Sequence, residues 1–458
     1  MSNVRSFGAV GNGTIDDTTA IRHAIEGGDG VLFFPPGEYI ISETIEIPLA
    51  MAGPAGIKGA QGASRILMKG AGPAFRLIGT HGGTGDPDSA SMSVNFIERM
   101  PIISDIEIVG EHAEADGIEC ILTKQATFQR VLIRQVRHGI HLIKRNRNVL
   151  ISDCHIYHNT GVGIFMDGVN LHQINICGSH ISYNRLGGIR IQESEVRNLQ
   201  ITGNDIEYNN HKQHGTEPEP TAEIYIDTTA EGASVCEVTI ASNTIQATVS
   251  EGGSNIKIVD NRHGTNHESM AEVGRPPGLW TITGNVIGNQ QVSVHLVGCY
   301  GIIISGNTIY SSEQQNMLLE ECSQIISTGN LFRRHTPALG TGVKIANSHT
   351  INISGCTFHD EHPDGQQSGL PLLEVTDSSL INISGCQLTN GSPEGMSLLN
   401  VSNVNISGCT VTDLRNEPKM KHAIAFRGKG SGNLLTGNIV TNAVENNLLV
   451  EDGVEVSR

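Results

Sequence analysis

A short pattern of hydrophobic and polar residues recurs along the chain. Ile or Val alternates with Ser, Thr or Asn, a two-residue turn follows, and another apolar residue comes next, as in 201–206 (ITGNDI) and 304–309 (ISGNTI). Neighbouring copies commonly lie 22 to 25 residues apart, with longer intervals where segments are inserted. Such a period is typical of a solenoid in which each repeat forms one coil. The sequence therefore predicts an all-β, single-domain parallel solenoid.

The second turn residue of this pattern serves as a marker for each coil. Asn is its commonest identity, and we expect it to be structural, because Asn tolerates a left-handed turn and its amide can bond to the next coil. The markers are Ile106, Val131, Cys154, Ser179, Asn204, Asn243, Asn285, Asn307, Asn330, Cys356, Cys386, Cys409 and Asn438.

Each coil also contains a second strand, placed before the next marker, as in 139–143 (GIHLI) and 188–192 (GIRIQ). Side chains alternate across a strand, so the Ile, Leu, Met and Val pairs face inward and the residues between them face outward. Equivalent residues of neighbouring parallel strands stack about 4.8 Å apart. The sequence repeat alone thus predicts which outward side chains form columns.

Two outward columns carry the candidate chemistry. The first contains Glu119, His141, Phe165, Arg190, Tyr225, Lys257 and His295, and the second contains Ile121, Ile143, Asp167, Gln192, Asp227, Val259 and Val297. The second column is apolar at both ends and polar over three successive coils, and the preceding position changes there from Gly to Glu223 and Asn255. We therefore expect one surface cluster of Asp167, Arg190, Gln192, Glu223, Tyr225, Asp227 and Lys257.

The two largest insertions, 209–222 and 260–279, flank this cluster and are predicted to form the walls of a cleft. The only Trp of the chain, Trp280, follows the second insertion. Asp205 and Glu207 face outward on another side of the coil and could reach the cleft through the 209–222 loop. The predicted substrate-binding residues are therefore Arg190, Gln192, Tyr225, Lys257, Asp205, Glu207 and Trp280.

Residues 1–45 are predicted to cap the solenoid, and 46–458 to form it. A helix is expected from about Thr18 to Glu26, with capping chemistry from Asp16 and Asp17, because Ile21 and Ile25 share one face. Two strands joined by a turn are expected within 31–41. Such a lid is needed because the end of a solenoid exposes apolar coils.

Three segments of the cap, 7–13 (FGAVGNG), 16–21 (DDTTAI) and 34–39 (FPPGEY), resemble the opening of the pectate-lyase-like superfamily of right-handed parallel β-helices. The resemblance implies a right-handed coil and a carbohydrate bound at an outer groove, and by analogy with other β-helix proteins it suggests a homotrimer. The superfamily includes polygalacturonases, lyases, epimerases, transglycosylating enzymes and phage tailspikes. The polygalacturonase motifs Asn-Thr-Asp, Gly-His-Gly and Arg-Ile-Lys do not occur as a set, so no catalytic residue is transferred.

Carboxylate pairs favour glycosidic bond cleavage, by hydrolysis or by intramolecular glycosyl transfer. The predicted catalytic residues are Asp167, Glu223 and Asp227, because crowding of acids raises the pKa of at least one, as a general acid requires. Asp167 and Asp227 lie two coils apart, roughly 9–10 Å at the backbone. Tilted side chains could then reach the 6.5–9.5 Å carboxyl separation of inverting enzymes.

Two alternatives stay open. A polysaccharide lyase or epimerase acting on a uronate polymer would use Lys257 or Arg190 as the base, with acids of the cluster holding Ca²⁺ against the substrate. A non-catalytic glycan-binding or tailspike-like protein would use the same groove without chemistry. No metal or other cofactor is expected for the hydrolase.

The composition of the chain limits the classes of partner and site that we expect. The formal charge of −17 disfavours nucleic acid and an acidic membrane surface. Nine single Cys without a CxxC suggest neither a disulfide framework nor a zinc site. The first residues form no apolar signal region and no run reaches spanning length. We expect a cytoplasmic protein, with secretion open if an export signal precedes this sequence.

Overall fold

The structure is a computed structural model that describes residues 1–83, 86–209, 222–261, 278–335, 342–362 and 369–458. These residues form two compact units, the first comprising Met1–Pro218 and Glu223–Val238, the second comprising Thr239–Arg458. Each unit is a coil of parallel strands, which confirms the predicted all-β parallel β-helix. The division into a cap of 1–45 and a single domain of 46–458 stays a prediction.

The helices are short and most lie near the amino terminus. The α-helices are Thr18–Gly27, Leu49–Ala52 and Met92–Phe96, and the 3-10 helices are Val4–Phe7 and Pro87–Ser89. The first α-helix confirms the predicted helix, but Asp17 makes no side-chain capping bond. Its carboxylate instead accepts from the backbone N–H groups of Val10 and Gly11, at 2.6 and 3.1 Å. In the described parts of the chain, no helix combines the length and the apolar character needed to span a membrane.

The first unit has three faces of parallel strands. The marker sheet consists of the strands that follow the marker turns, namely Asn12–Asp16, Gly37–Ile41, Ser64–Met68, Glu107–Gly110, Leu132–Arg134, His155–Tyr157, His180–Ser182 and Asp205–Glu207. The site sheet contains the predicted columns, on Ile45–Pro48, Gly72–Ile78, Ala115–Lys124, Ile140–Ser152, Ile164–Cys177, Ile189–Gln192 and Ala222–Asp227. The two long strands of the site sheet continue into the third face, whose other strands are Ser2–Asn3, Val31–Phe34, Gly56–Gly59, Ile102–Ser104, Thr127–Gln129, Glu195–Thr202 and Ser234–Ala241.

The second unit repeats the three strand positions. Its marker strands are Thr244–Gln246, Val286–Gly288, Thr308–Tyr310, Leu331–Arg334, Thr357–Asp360, Gln387–Thr389, Thr410–Thr412 and Ile439–Thr441. The strands equivalent to the site sheet are Ser254–Val259, Val292–Val297, Gln315–Glu320, Val343–Ala346, Leu373–Thr376, Glu394–Leu399, His422–Arg427 and Asn446–Val450. The remaining strands are Trp280–Thr283, Ile302–Ser305, Ser323–Thr328, His349–Ser354, Ser379–Ser384, Ser402–Ser407, Gly430–Thr436 and Val454–Ser457.

The marker turn explains why the repeated pattern ends in Gly-Asn. The left-handed residue is the one before the marker, as at Gly306 with φ 62°, so the expectation that the Asn itself is left-handed is wrong. The expected bond to the next coil is confirmed. The buried Asn307 accepts at Oδ1 from the backbone N–H of Asn285 at 2.9 Å and donates from Nδ2 to Asn330 Oδ1 at 2.9 Å.

Candidate active site

Backbone pairing on the site sheet gives the predicted columns. Within the first unit, the paired residues of the first column are Glu119, His141, Phe165, Arg190 and Tyr225, and those of the second are Ile121, Ile143, Asp167, Gln192 and Asp227. The inward residues between them, such as Ile189, Ile191 and Ile224, are fully buried. The predicted register is therefore confirmed in this unit, because burying one set of side chains fixes which set faces out.

Asp167 lies between two hydrogen-bonding side chains. Its Oδ2 is 3.3 Å from His141 Nε2, and its Oδ1 accepts from Gln192 Nε2 at 3.3 Å. The Asp167 side chain keeps 34% of its surface exposed, so the carboxylate is held in place and still reachable from solvent.

Asp227 is held by neutral donors. Tyr225 donates from its hydroxyl to Asp227 Oδ2 at 3.0 Å, and Thr229 donates to Oδ1 from its backbone N–H at 2.9 Å and from its hydroxyl at 2.7 Å. Burial and the adjacent Asp227 raise the pKa of Tyr225 to about 12. The phenol therefore stays protonated at neutral pH and remains a donor to this carboxylate.

Arg190 supplies the cation of this surface. Its guanidinium carbon lies 5.2 Å from the centre of the Tyr225 ring, within cation–π range. Arg190 Nε is buried and has no hydrogen-bond partner among the described residues. This side chain is thus fixed over an aromatic ring while one of its donors is unused.

Two histidines beside Asp167 were not among the predicted site residues. His141 stacks on Phe165, with ring centres 5.2 Å apart and planes 9° apart. Burial lowers the pKa of His141, but its contacts with Glu119 and Asp167 outweigh burial, and the net shift is upward. Burial lowers the pKa of His138 to about 4, and its Nδ1 accepts from the backbone N–H of Val162 at 3.2 Å. Glu119 and His141 stood in the predicted first column, so the sequence pattern already placed both on the outer face next to the column of Asp167.

The predicted surface position of Glu223 is wrong. Its side chain is buried, with 1% of the residue exposed, and its carboxylate accepts from the backbone and the side-chain amide of Asn209. Burial raises the pKa of Glu223 well above its ordinary value. The equivalent residue of the preceding coil is Gly188, where an added Cβ would meet buried atoms. Strand alternation fails at this corner of the coil, and Glu223 cannot contact a substrate on the outer face.

Trp280 is also inside its coil, with 1% of its surface exposed, so the prediction that it offers a sugar platform is wrong. It begins a strand of the second unit and pairs in register with Ile302. Lys257 belongs to the same unit, where it pairs with His295. Its membership of the cluster stays a prediction.

Asp205 and Glu207 lie on the marker sheet of the first unit, in register with His180 and Ser182. His180 Nδ1 is 3.5 Å from Asp205 Oδ2. Burial and the charge of Asp205 raise the pKa of Glu207. Their contacts thus lie on a different face from Asp167 and Asp227, and their reach into a cleft stays a prediction. The insertions proposed as cleft walls lie outside the described residues, apart from their ends at 209, 222, 260–261 and 278–279.

No group of three or more His, Cys, Asp or Glu in the described ranges is spaced to hold a metal ion. The burial of Glu223 separates it from the two outward acids. Asp167 and Asp227 are therefore the two predicted catalytic acids that share one outer face.

Comparisons with known proteins agree with the fold. The family model described as "Right handed beta helix region" matches residues 96–218 and 222–367, more than half of the chain. The model described as "Rhamnogalacturonase A/epimerase, pectate lyase-like" matches residues 1–72. No curated protein sequence matches significantly.

Solved structures with the same fold share little sequence. The tailspike protein gp49 of Pseudomonas phage LKA1 is 12% identical, with 95% of this chain and 82% of that chain covered and a TM-score of 0.51. The mannuronan C-5 epimerase AlgE4 A-module of Azotobacter vinelandii is 14% identical, with full coverage of both chains and a TM-score of 0.37. The catalytic unit of the GH87 α-1,3-glucanase from Streptomyces thermodiastaticus is 13% identical, covering 97% of this chain and 69% of that chain, with a TM-score of 0.40.

Identities this low bear on the fold alone. The repeat, the parallel register and the family model over more than half of the chain agree with one another. The chain belongs to the right-handed β-helix family, within the pectate-lyase-like superfamily.

Proposed function

We propose that the outer face of the site sheet binds a poly- or oligosaccharide and cleaves a glycosidic bond with the carboxyl groups of Asp167 and Asp227. The observation that supports this most is their register: they occupy one outward column, separated only by Gln192. Two strand spacings correspond to roughly 9–10 Å at the backbone. That separation suits the 6.5–9.5 Å carboxyl distance of an inverting enzyme, which leaves room for a water molecule.

The two acids would take different roles. Asp167, whose carboxylate lies beside His141, is the proposed base that activates water. Asp227 is the proposed acid that protonates the leaving group. Gln192 and Arg190 would contact sugar hydroxyls beside the reacting bond.

The test begins with a panel of glycans incubated with the wild-type chain, with products identified by mass spectrometry. On any glycan that is cleaved, Asp167→Asn and Asp227→Asn should each reduce product release at least about 100-fold, the scale of positioned acid–base catalysis. Glu231→Gln, an exposed acid near Asp227 in sequence, is the matched control and should retain activity. An aryl glycoside of the same sugar should rescue Asp227→Asn but not Asp167→Asn, because a good leaving group needs no proton.

Arg190 favours a second candidate, a lyase or epimerase acting on a uronate polymer. A cation fixed over the Tyr225 ring could neutralise a substrate carboxylate, and the adjacent Tyr225 phenol could donate a proton. An unsaturated product would support the lyase, whereas an inverted uronate in an uncleaved chain would support the epimerase. A hydrated product would support hydrolysis, and an anhydro or cyclised product would support intramolecular glycosyl transfer.

A non-catalytic glycan-binding role is the third candidate. Retention of a glycan by the wild-type chain without any product, on a panel that includes uronate polymers, would overturn the proposed cleavage and leave binding as the function. The homotrimer implied by the resemblance stays a prediction and enters none of these mechanisms.

A further inference from the structure

Charged side chains alternate in sign along the first column of the site sheet, on the coils that precede Asp167. Glu46, Arg76, Glu119 and His141 are successive register partners on four neighbouring strands. Arg76 Nη1 is 2.9 Å from Glu46 Oε1, and Arg76 Nε donates to Glu119 Oε1. Glu119 Oε2 is in turn 3.6 Å from His141 Nδ1. The column forms a continuous chain of opposite charges that leads to the candidate active site.

His141 is the last residue of this column of alternating charges, and a carboxylate lies on each side of its ring. Nδ1 faces Glu119, and Nε2 is 3.3 Å from Asp167 Oδ2. A neutral imidazole has one N–H, whereas an imidazolium has two. Only the cation can present an N–H to both carboxylates at once. Stacking on Phe165 fixes the plane of the ring in this orientation.

Side-chain exposure rises from Glu119 through His141 to Asp167. The exposed fraction of the side chain is 10% for Glu119, 15% for His141 and 34% for Asp167. Charges interact more strongly where water is excluded. The buried pair of Glu119 and His141 therefore acts on a carboxylate that a substrate can reach.

The other charged groups around His141 are already accounted for. His138 is neutral near pH 7, because burial lowers its pKa to about 4. Arg137 is bound to Asp116, with Nη2 2.7 Å from Oδ2. Among the described neighbours, His141 is therefore the group whose charge can change near neutral pH and act on Asp167.

We propose that His141 is a positioning residue that orients Asp167 by a charged hydrogen bond, with Glu119, which is itself held by the ion pair with Arg76, maintaining the imidazolium. The inference rests on the proposed function for its catalytic consequence, but the coupling between His141 and Asp167 can be measured without any substrate. Loss of the cation would remove the N–H donor that orients Asp167 Oδ2. Catalysis that needs an oriented Asp167 carboxylate would then slow.

The direct test is an NMR titration of the histidine ring signals, with His141 assigned by its absence in His141→Gln. In the wild-type chain, His141 should titrate above the ordinary histidine value of about 6.5. Asp167→Asn and Glu119→Gln should each lower this midpoint by about one pH unit or more, the scale of an adjacent opposite charge. Glu46→Gln, at the exposed far end of the chain of charges, is the matched control and should move it little.

Titration of His141 at or below about 6.5 in the wild-type chain, or no shift in Asp167→Asn, overturns the proposal. On a cleaved glycan, His141→Gln should also lower kcat more than it changes KM, which loss of stability alone would not do. Should His141→Gln fail to fold, sequential resonance assignment identifies the His141 ring signal, and the Asp167→Asn and Glu119→Gln titrations still decide. The expected NMR shifts without any cleaved glycan would support the coupling and overturn the proposed reaction.

Discussion

Replacement of Asn307 by Ala tests how the marker Asn holds neighbouring coils together. Asn307 Oδ1 accepts from the backbone N–H of Asn285 at 2.9 Å and from its Nδ2 at 3.0 Å. Asn307 Nδ2 donates to Ile282 O at 3.1 Å and to Asn330 Oδ1 at 2.9 Å. All four bonds are buried, so water cannot replace the lost amide.

The expected cost follows from these contacts. The backbone N–H of Asn285 would lose its acceptor, and an unsatisfied buried donor costs roughly 1–3 kcal/mol. The other three bonds contribute about 0.5–1.5 kcal/mol each, and partial relaxation reduces the total. We therefore expect Asn307→Ala to lower the free energy of unfolding of the second unit by roughly 2–6 kcal/mol.

Asn307→Ser is the matched control, because the chain already uses Ser at one marker. Ser179 Oγ accepts from the backbone N–H of Cys154 at 3.1 Å, which preserves the most important bond. The Ser variant should lose less than half as much stability as the Ala variant.

The measurement is urea unfolding followed by circular dichroism, with hydrogen exchange of the Asn285 amide as a local readout. That amide should lose protection in Asn307→Ala and keep most of it in Asn307→Ser. An Ala variant within about 1 kcal/mol of wild type, or equal to the Ser variant, would refute the reasoning, because a buried orphaned donor must cost more than that.

Two further predictions concern buried charge. Burial raises the pKa of Glu223 in the folded chain above its ordinary value of about 4.5. Between these two pKa values the folded chain binds a proton that the unfolded chain releases, so stability should fall by about 1.4 kcal/mol per pH unit as pH rises through that window. Glu223→Gln should remove this slope in urea titrations at several pH values, and an unchanged slope would contradict it. Arg334 is buried against Asp360, with Nη1 3.2 Å from Oδ2, so Arg334→Met should cost roughly 3–5 kcal/mol in thermal or urea unfolding. The exposed pair of Arg22 and Glu43 offers the comparison, and Arg22→Met should cost less than about 1 kcal/mol; equal costs would contradict the argument.

The coil register could be predicted from the sequence because two constraints coincide. Alternation sets which residues face inward, and a repeat of nearly constant length sets which residues are neighbours on adjacent strands. Arg190 and Tyr225 are far apart in sequence, with the 209–222 insertion between them, yet they pair as predicted. The inward pair of Ile224 and Ile226 fixed the alignment despite the insertion.

The corners of the coil could not be predicted in the same way. Alternation holds only within regular strands, and Glu223 lies where the chain turns into the strand. Its buried position depends on the amide of Asn209, a partner that periodicity does not reveal. Trp280 shows the same limit, because an aromatic residue beside an insertion can face either the solvent or the core.

His141 was missed for a different reason. The alternating charges that lead to it begin at Glu46 and Arg76, which lie on coils near the amino terminus, where the marker pattern is weak and no column was aligned. Without these two residues, Glu119 and His141 form an ordinary pair on an outer face. The alternation of charge becomes visible only when four strands are placed in register.

This alternation also gives a physical reason to place function at Asp227. Parallel stacking brings equivalent side chains to about 4.8 Å, so successive acids in one column repel unless a cation or a neutral residue separates them. Both arrangements occur in the first unit. Arg65 lies between Glu38 and Glu107, with a nitrogen 2.6 Å from each carboxylate, whereas Asp167 lies in register between Ile143 and Gln192.

Asp227 belongs to the second arrangement. Its contacts among the described residues are the neutral donors Tyr225 and Thr229, while Arg190 stacks on the Tyr225 ring. These donors satisfy the hydrogen-bonding capacity of the carboxylate and leave it without a fixed countercharge. Proton transfer to a bound sugar would explain why the column carries an acid here and a neutral Gln192 on the coil before it.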